Sequence, residues 1–176
     1  MADQPKLRYR PRKKDAAALW EYALNALGRR ALTTAELRQR MREKAIDPAD
    51  VDPLVTRLQE YGYLDDTRFA ENFASARREN QGLGKMRVLQ DLRGRRVTPQ
   101  LAEEAVTKAY AETDEVTLVE EFVARKFRGH NLAEYLADPK HLASAYRKLR
   151  YAGFGSSSTI RVLRRYSQRA DEIEES

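Results

Sequence analysis

The chain has 176 residues, 41% of them hydrophobic and 34% charged, with eight Gly and six Pro, which is the composition of a helix-rich globular protein and not of a disordered one. Thirty-three Lys and Arg against 27 Asp and Glu leave a formal charge of +6, favouring polyanions or acidic protein surfaces as partners. The lack of cysteine excludes disulfides and thiolate metal sites, and no apolar run reaches the roughly 20 residues of a membrane span, so a soluble cytoplasmic protein is expected.

Residues 1–14 carry Pro5, Pro11 and six Lys/Arg without a helical stripe, and read as a flexible basic arm. From Asp15 the period is helical. Leu19, Trp20, Ala23, Leu24 and Leu27 share one face, and Gly28 weakens its end. Thr33 and Glu36 form a capping box for a second helix with Leu37, Met41 and Ala45 inward. A third, starting near Asp50–Asp52 because Pro53 cannot lie deep in a helix, places Leu54, Val55, Leu58 and Tyr61 on its buried stripe. Asp65 caps the next helix, with Phe69, Ala70 and Phe73 inward. The two that follow use Val88, Leu89 and Leu92, then Leu101, Ala102, Ala105, Val106 and Ala109 after Thr98-Pro99. A further set begins near Asp114 with Val116, Val119, Phe122, Val123 and Phe127. An insertion over 129–139 precedes helices carrying Leu142, Tyr146 and Leu149, then Ile160, Leu163 and Tyr166, the last capped by one of Ser156–Ser158. Nowhere do apolar and polar residues alternate as in a strand.

These elements repeat. A shift of 51 residues lays Tyr22 on Phe73, Leu37 on Val88, Met41 on Leu92, Ile46 on Val97 and Val55 on Val106. A shift of 57 lays Leu92, Val97 and Val106 on Leu149, Phe154 and Leu163. A self-similar unit of this length is a small module that buries its apolar face by stacking. The expected fold is therefore all-α, an elongated tandem array of three three-helix repeats over 15–63, 64–111 and 112–168, followed by an acidic tail over 169–176.

The charge is segregated. Residues 77–96 hold seven Lys/Arg against Glu79 and Asp91, residues 139–170 hold eight and no acid, and 112–121 hold five acids and no base. Surfaces that serve solubility alone mix their signs, so repeated basic faces point to a phosphate backbone or an acidic groove. Catalytic signals fail by contrast. Gly82-Leu83-Gly84-Lys85 lacks the hydroxyl residue and the upstream glycine of a phosphate loop and reads as a helix–helix turn. Asp65-Asp66 reads as helix capping, and His130 and His141 have no ligand cluster beside them. No nucleophile elbow or Ser–His–acid set is present. Trp20, Phe69 and Phe73 fall on buried stripes, whereas Tyr9, between Arg8 and Arg10, is placed to stack on a base. No catalytic residue, metal ligand or cofactor is expected.

In the middle module the run Tyr63-Leu64-Asp65-Asp66-Thr67-Arg68-Phe69-Ala70, then Arg77-Arg78, Gly82-Leu83-Gly84 and Leu92, resembles the signature of the RecX family of bacterial recombination regulators. Leu27-Gly28-Arg29-Arg30-Ala31-Leu32-Thr33 with Glu36-Leu37, and Tyr151-Ala152-Gly153-Phe154 with Ile160, Val162 and Leu163, resemble that family's opening and closing helix pairs. The resemblance spans about residues 16–166. It implies tandem three-helix repeats and a non-enzymatic role: binding the RecA recombinase filament and restraining its ATP hydrolysis and strand exchange, with some affinity for single- or double-stranded DNA. Of the glycines that follow each middle helix in the family, only Gly153 is kept. Ala45 and Arg96 stand in the other two places, and each must adopt a left-handed conformation or end its helix differently.

The expected partners are thus the RecA filament and DNA, with no membrane, and the chain is expected to act as a monomer. The expected contacts are Arg68, Arg77, Arg78, Lys85, Arg87, Arg93, Arg95 and Arg96 in the middle module. Arg147, Lys148, Arg150, Arg161, Arg164 and Arg165 complete the set in the last. A sequence-nonspecific DNA-binding protein acting without a recombinase is the alternative these charges allow.

Overall fold

The computed structural model describes residues 13–173, with side chains to residue 170; the bulk of the basic arm, Tyr9 included, and the end of the acidic tail lie outside the described residues. Among the described residues every regular element is helical, apart from one isolated bridge between Lys14 and Ala45. In order these are α1 (Ala16–Arg29), α2 (Thr34–Lys44), a 3-10 turn (Pro48–Asp50), α3 (Val51–Glu60), α4 (Asp66–Gln81), α5 (Lys85–Gly94) and α6 (Pro99–Ala109). Then come α7 (Glu115–Lys126), the one-turn α8 (Leu132–Tyr135) inside the expected insertion, α9 (Pro139–Tyr151), α10 (Ser156–Leu163) and a closing 3-10 segment (Gln168–Ile173). The chain divides into two compact units, residues 1–69 and 70–176.

Local chemistry sets the starts of these helices. Asp15 accepts from the Ala18 N–H at 2.9 Å. The capping box closes in both directions, the Thr33 hydroxyl accepting from Glu36 N–H at 3.2 Å and the Glu36 carboxylate from Thr33 N–H at 3.1 Å. Asp47 caps the 3-10 turn that leads into α3, so Pro53 falls in the first turn of that helix, where its missing donor removes no bond. The adjacent acids divide their work: Asp65 accepts from Arg68 N–H at 2.9 Å, while Asp66 accepts from Thr34 N–H at 2.8 Å at the start of α2. Asp114 and Asp138 cap α7 and α9.

The repeat is visible in burial. Leu19 and Ala70, Ala23 and Ala74, Leu37 and Val88, Met41 and Leu92, Val51 and Ala102, and Val55 and Val106 are pairs 51 residues apart, each fully or almost fully buried. Unit 1 closes its core around Leu19, Leu37, Met41, Val55 and Leu58, and each such side chain contributes about 1.5–3 kcal/mol of transfer free energy. In unit 2, Leu149, Phe154, Val162 and Leu163 continue the same logic.

Three expectations change. Ile46 is 65% exposed although its counterpart Val97 is buried. The corners after α2 and α5 explain it. Arg96 takes φ +61°, the left-handed turn that swings Val97 inward, whereas Ala45 stays extended (φ −66°, ψ 140°) and is itself buried. Ile46 N–H then donates to Lys14 O at 2.8 Å and its side chain faces out. Tyr61, expected on the buried stripe of α3, ends that helix and is 58% exposed. No serine caps α10. Its N-cap is Gly155, whose N–H donates to the Glu115 carboxylate at 3.1 Å, and the Ser158 hydroxyl donates to the same group.

Candidate functional site

Gly82-Leu83-Gly84 is a turn in which Gly82 takes the left-handed φ of +57° and Gly84 permits close backbone approach. Gly84 N–H donates to Ala152 O at 2.8 Å and Met86 N–H to Gly153 O at 3.2 Å, joining the α4–α5 turn to the α9–α10 turn. A Cβ on Gly84 would lie 2.3 Å from Gly153 O, and one on Gly153, at φ +94°, would lie 2.3 Å from Arg87 N. Tyr110 braces the same turn from beneath by donating its hydroxyl to Leu83 O, and burial pushes its pKa up to about 12.

This junction sets α9 alongside α4, α5 and α7, leaving an open groove of about 590 Å³. Arg77, Arg87, Lys126, Arg147 and Lys148 line it, with Phe122 and Tyr151 supplying rings. A second hollow of about 420 Å³ shares Arg77, Arg87 and Tyr151 and adds Phe73 and Arg95. The two form one basic, aromatic-lined trough. Its single acid, Asp91, lies 3.0 Å from Arg87 and 3.6 Å from Arg77, so its charge is already matched. Guanidiniums lie over rings: Arg77 at 4.8 Å and Arg95 at 5.9 Å from the Phe73 centroid, Arg87 at 4.6 Å from that of Tyr151. The Tyr151 hydroxyl and the Asp91 carboxylate push the Arg87 pKa above its already high ordinary value. Lys126 and Arg147 have no ion-pair partner among the described residues, and Tyr151 is 75% exposed. Cations gathered beside the exposed Tyr151 ring and the half-buried Phe73 and Phe122 suit a phosphate chain whose bases can stack.

Of the residues singled out in the sequence, Arg77, Arg87, Arg95, Arg147 and Lys148 come together here. Others have different work. Arg78 donates to Ala109 O at the end of α6 and to Thr113 Oγ1 at 3.5 Å, and pairs with Glu79 at 2.8 Å. Arg150 donates to Phe154 O, Arg93 lies 3.6 Å from Glu103, and Arg165 pairs with Glu120. Lys85 sits 6.0 Å over the Tyr110 ring. Arg96 occupies the left-handed corner, Arg161 and Arg164 are exposed on and after α10, and Arg68 is exposed in unit 1. Lys126, Phe122 and Tyr151 were not anticipated as site residues. Their signal was spacing: Phe122 and Lys126 are four apart on α7, and Ser144, Arg147, Lys148 and Tyr151 share one face of α9.

Among the described residues no group of three or more His, Cys, Asp or Glu is placed to hold a metal, and no helix is long and apolar enough to cross a membrane. His130 and His141 flank Tyr135, with ring centroids 4.4 and 4.1 Å away. Three-helix modules repeated along the chain, with a basic trough in unit 2, place the chain among the helical-repeat proteins. Comparison with known proteins narrows this. Residues 20–58 match the model of the RecX first three-helix domain and residues 65–106 that of the second. The chain is 33% identical over 170 residues to the regulatory protein RecX of Deinococcus radiodurans, covering 96% of this chain and 78% of that protein. It is 32% identical over 134 residues to that of Trichlorobacter lovleyi, covering 76% and 86%. Its fold is that of the RecX crystal structure from Lactobacillus salivarius, with a TM-score of 0.64 at 16% identity over 92% and 97% of the two chains. The chain belongs to the RecX family of regulatory proteins.

Proposed function

We propose that this chain binds the RecA recombinase filament on DNA and restrains its ATP hydrolysis and strand exchange, and so regulates recombination and DNA repair. It acts by occupancy and not by a reaction of its own. The observation that carries the reading is the trough of unit 2, where Arg77, Arg87, Arg95, Lys126, Arg147 and Lys148 gather around the exposed Tyr151 and the half-buried Phe73 and Phe122 while Asp91 is held by two arginines. Residues 70–176 hold 19 Lys/Arg against 16 Asp/Glu, and the trough concentrates six of those cations around one matched acid, so the polyanion is met there. A chain held along a filament by phosphate contacts hinders the subunit motions that turnover needs.

The test is DNA-dependent ATP hydrolysis by RecA with the chain titrated in. Inhibition at amounts well below those that coat the DNA supports the filament reading. Inhibition only at DNA saturation reduces the chain to a competitor for DNA and overturns it.

A further inference from the structure

The first repeat carries a surface cluster that the second lacks at the same positions. In unit 1, Trp20 and Tyr61 meet edge to face at 6.0 Å, and Tyr61 and Tyr63 do so at 6.5 Å. The Arg57 guanidinium lies 4.6 Å over the Trp20 ring and 5.3 Å over that of Tyr61, and its Nε donates to the Tyr61 hydroxyl at 3.4 Å. Tyr61 and Tyr63 are 58% and 54% exposed, and Trp20 is half-buried.

Fifty-one residues on, Trp20, Arg57, Tyr61 and Tyr63 become Glu71, Lys108, Glu112 and Asp114. There Lys108 and Glu71 make an ordinary surface ion pair at 2.8 Å, and Asp114 caps α7. The second module therefore folds without aromatic rings at these places, although in the first Trp20 also packs one side against the core. The exchange of Glu for Trp also leaves Arg57 without a carboxylate: among the described residues its only partners are the two rings and the Tyr61 hydroxyl.

We infer that the Trp20–Arg57–Tyr61–Tyr63 cluster is a protein-docking surface, and that its partner presents a carboxylate for Arg57 beside an apolar side chain for the rings. Trp, Tyr and Arg are the residue types that dominate interface energetics, because they combine large rigid contact area with a fixed polar group. Charge separates this surface from the trough. The cluster presents one cation, Arg57, where the trough gathers six, and residues 13–69, which carry it, hold ten Lys/Arg against ten Asp/Glu, so it offers little to draw in a phosphate chain. Resting on the filament reading above, the inference divides the labour: unit 2 meets the nucleic acid and unit 1 meets the recombinase protein.

The experiment gives the first repeat the second repeat's residues, as the full-length double variant Trp20→Glu/Tyr61→Glu, with Arg57→Ala as a second variant at an exposed position. Each is checked for native helicity by circular dichroism. Affinity is measured for a labelled single-stranded oligonucleotide alone, and for RecA filament assembled on it with a non-hydrolysed ATP analogue. Both variants should lose at least tenfold in filament affinity while bare-DNA affinity stays within twofold. Equal losses on both ligands would make the cluster a nucleobase platform, and no loss on either would remove it from any interface; both overturn the inference. Filament affinity that survives Arg57→Ala but not the aromatic exchange overturns the carboxylate partner. Wild-type chain that binds the oligonucleotide but not the filament overturns the parent reading, and this one with it.

Discussion

Replacing Gly84 by Ala tests whether the turn-to-turn junction builds the trough. Gly84 has φ −77° and ψ 162°, which any residue adopts, so the penalty is steric alone. The new Cβ would sit 2.3 Å from Gly153 O and 2.7 Å from Phe154 N, against the ~3.5 Å that a carbon contact needs. The obstacle is backbone and cannot rotate away. Retreat by about 1 Å stretches the 2.8 Å and 3.2 Å bonds from Gly84 N–H and Met86 N–H beyond useful length, at about 1 kcal/mol each. Overpacking adds about 1–3 kcal/mol, for a total loss of about 3–5 kcal/mol. Gly94→Ala is the control. It lies at the end of α5 with open space around its Cβ position, and should gain about 0.5–1 kcal/mol. Urea unfolding followed by far-UV circular dichroism gives both values. Fluorescence of Trp20, the sole tryptophan, reports on unit 1 separately. A Gly84→Ala chain within 1 kcal/mol of wild type, or matching Gly94→Ala, would refute the argument.

Arg96→Gly should stabilise the chain by about 0.5–1 kcal/mol in the same assay, the left-handed penalty of about 1–2 kcal/mol being offset in part by the freedom glycine adds to the unfolded chain. The Thr159 hydroxyl is buried without a hydrogen-bond partner, so Thr159→Val should raise stability by about 1 kcal/mol, read as a later urea midpoint. Tyr110 holds its proton more tightly when folded, so its contribution is whole below pH 10 and is lost as pH rises from 10 to about 12; Tyr110→Phe should abolish that dependence in a pH series of urea midpoints while costing about 1 kcal/mol at neutral pH through the unpaired Leu83 carbonyl. Lys126→Ala/Arg147→Ala/Lys148→Ala should lower the slope of log affinity against log salt for single-stranded DNA by about 2, from three lost contacts at about 0.7 each, measured by anisotropy.

Helices and repeats were legible in the sequence because they rest on local rules. The 3.6-residue stripe of Leu37 and Met41, the Thr33–Glu36 box and the Asp65 cap need nothing from afar. The conflict noted after the middle helices was legible too, and the chain resolves it both ways: Arg96 accepts the left-handed turn and Ala45 avoids it. What remained hidden depends on which turn meets which. Gly84 against Gly153 brings Arg147 and Lys148 opposite Arg77 and Arg87, and no local pattern encodes that meeting. Arg78 and Arg150 looked like surface cations, yet carbonyls at the ends of other elements, Ala109 and Phe154, take their protons. Trp20 lies on the core stripe and packs against the unit 1 core as its period requires, yet stays half-buried, because periodicity does not separate the centre of a stripe from its rim.

The borrowed carboxylate of Glu115 has a consequence for how the last repeat comes into being. A two-turn helix such as α10 is marginal in water by itself, and its run of serines supplies no lid of its own. The group that finishes it stands on another helix, 40 positions earlier in the chain. α10 is therefore persistent only where α7 and α9 cover Ile160, Val162 and Leu163, and α7, which helps to cover it, also supplies the carboxylate that closes its first turn.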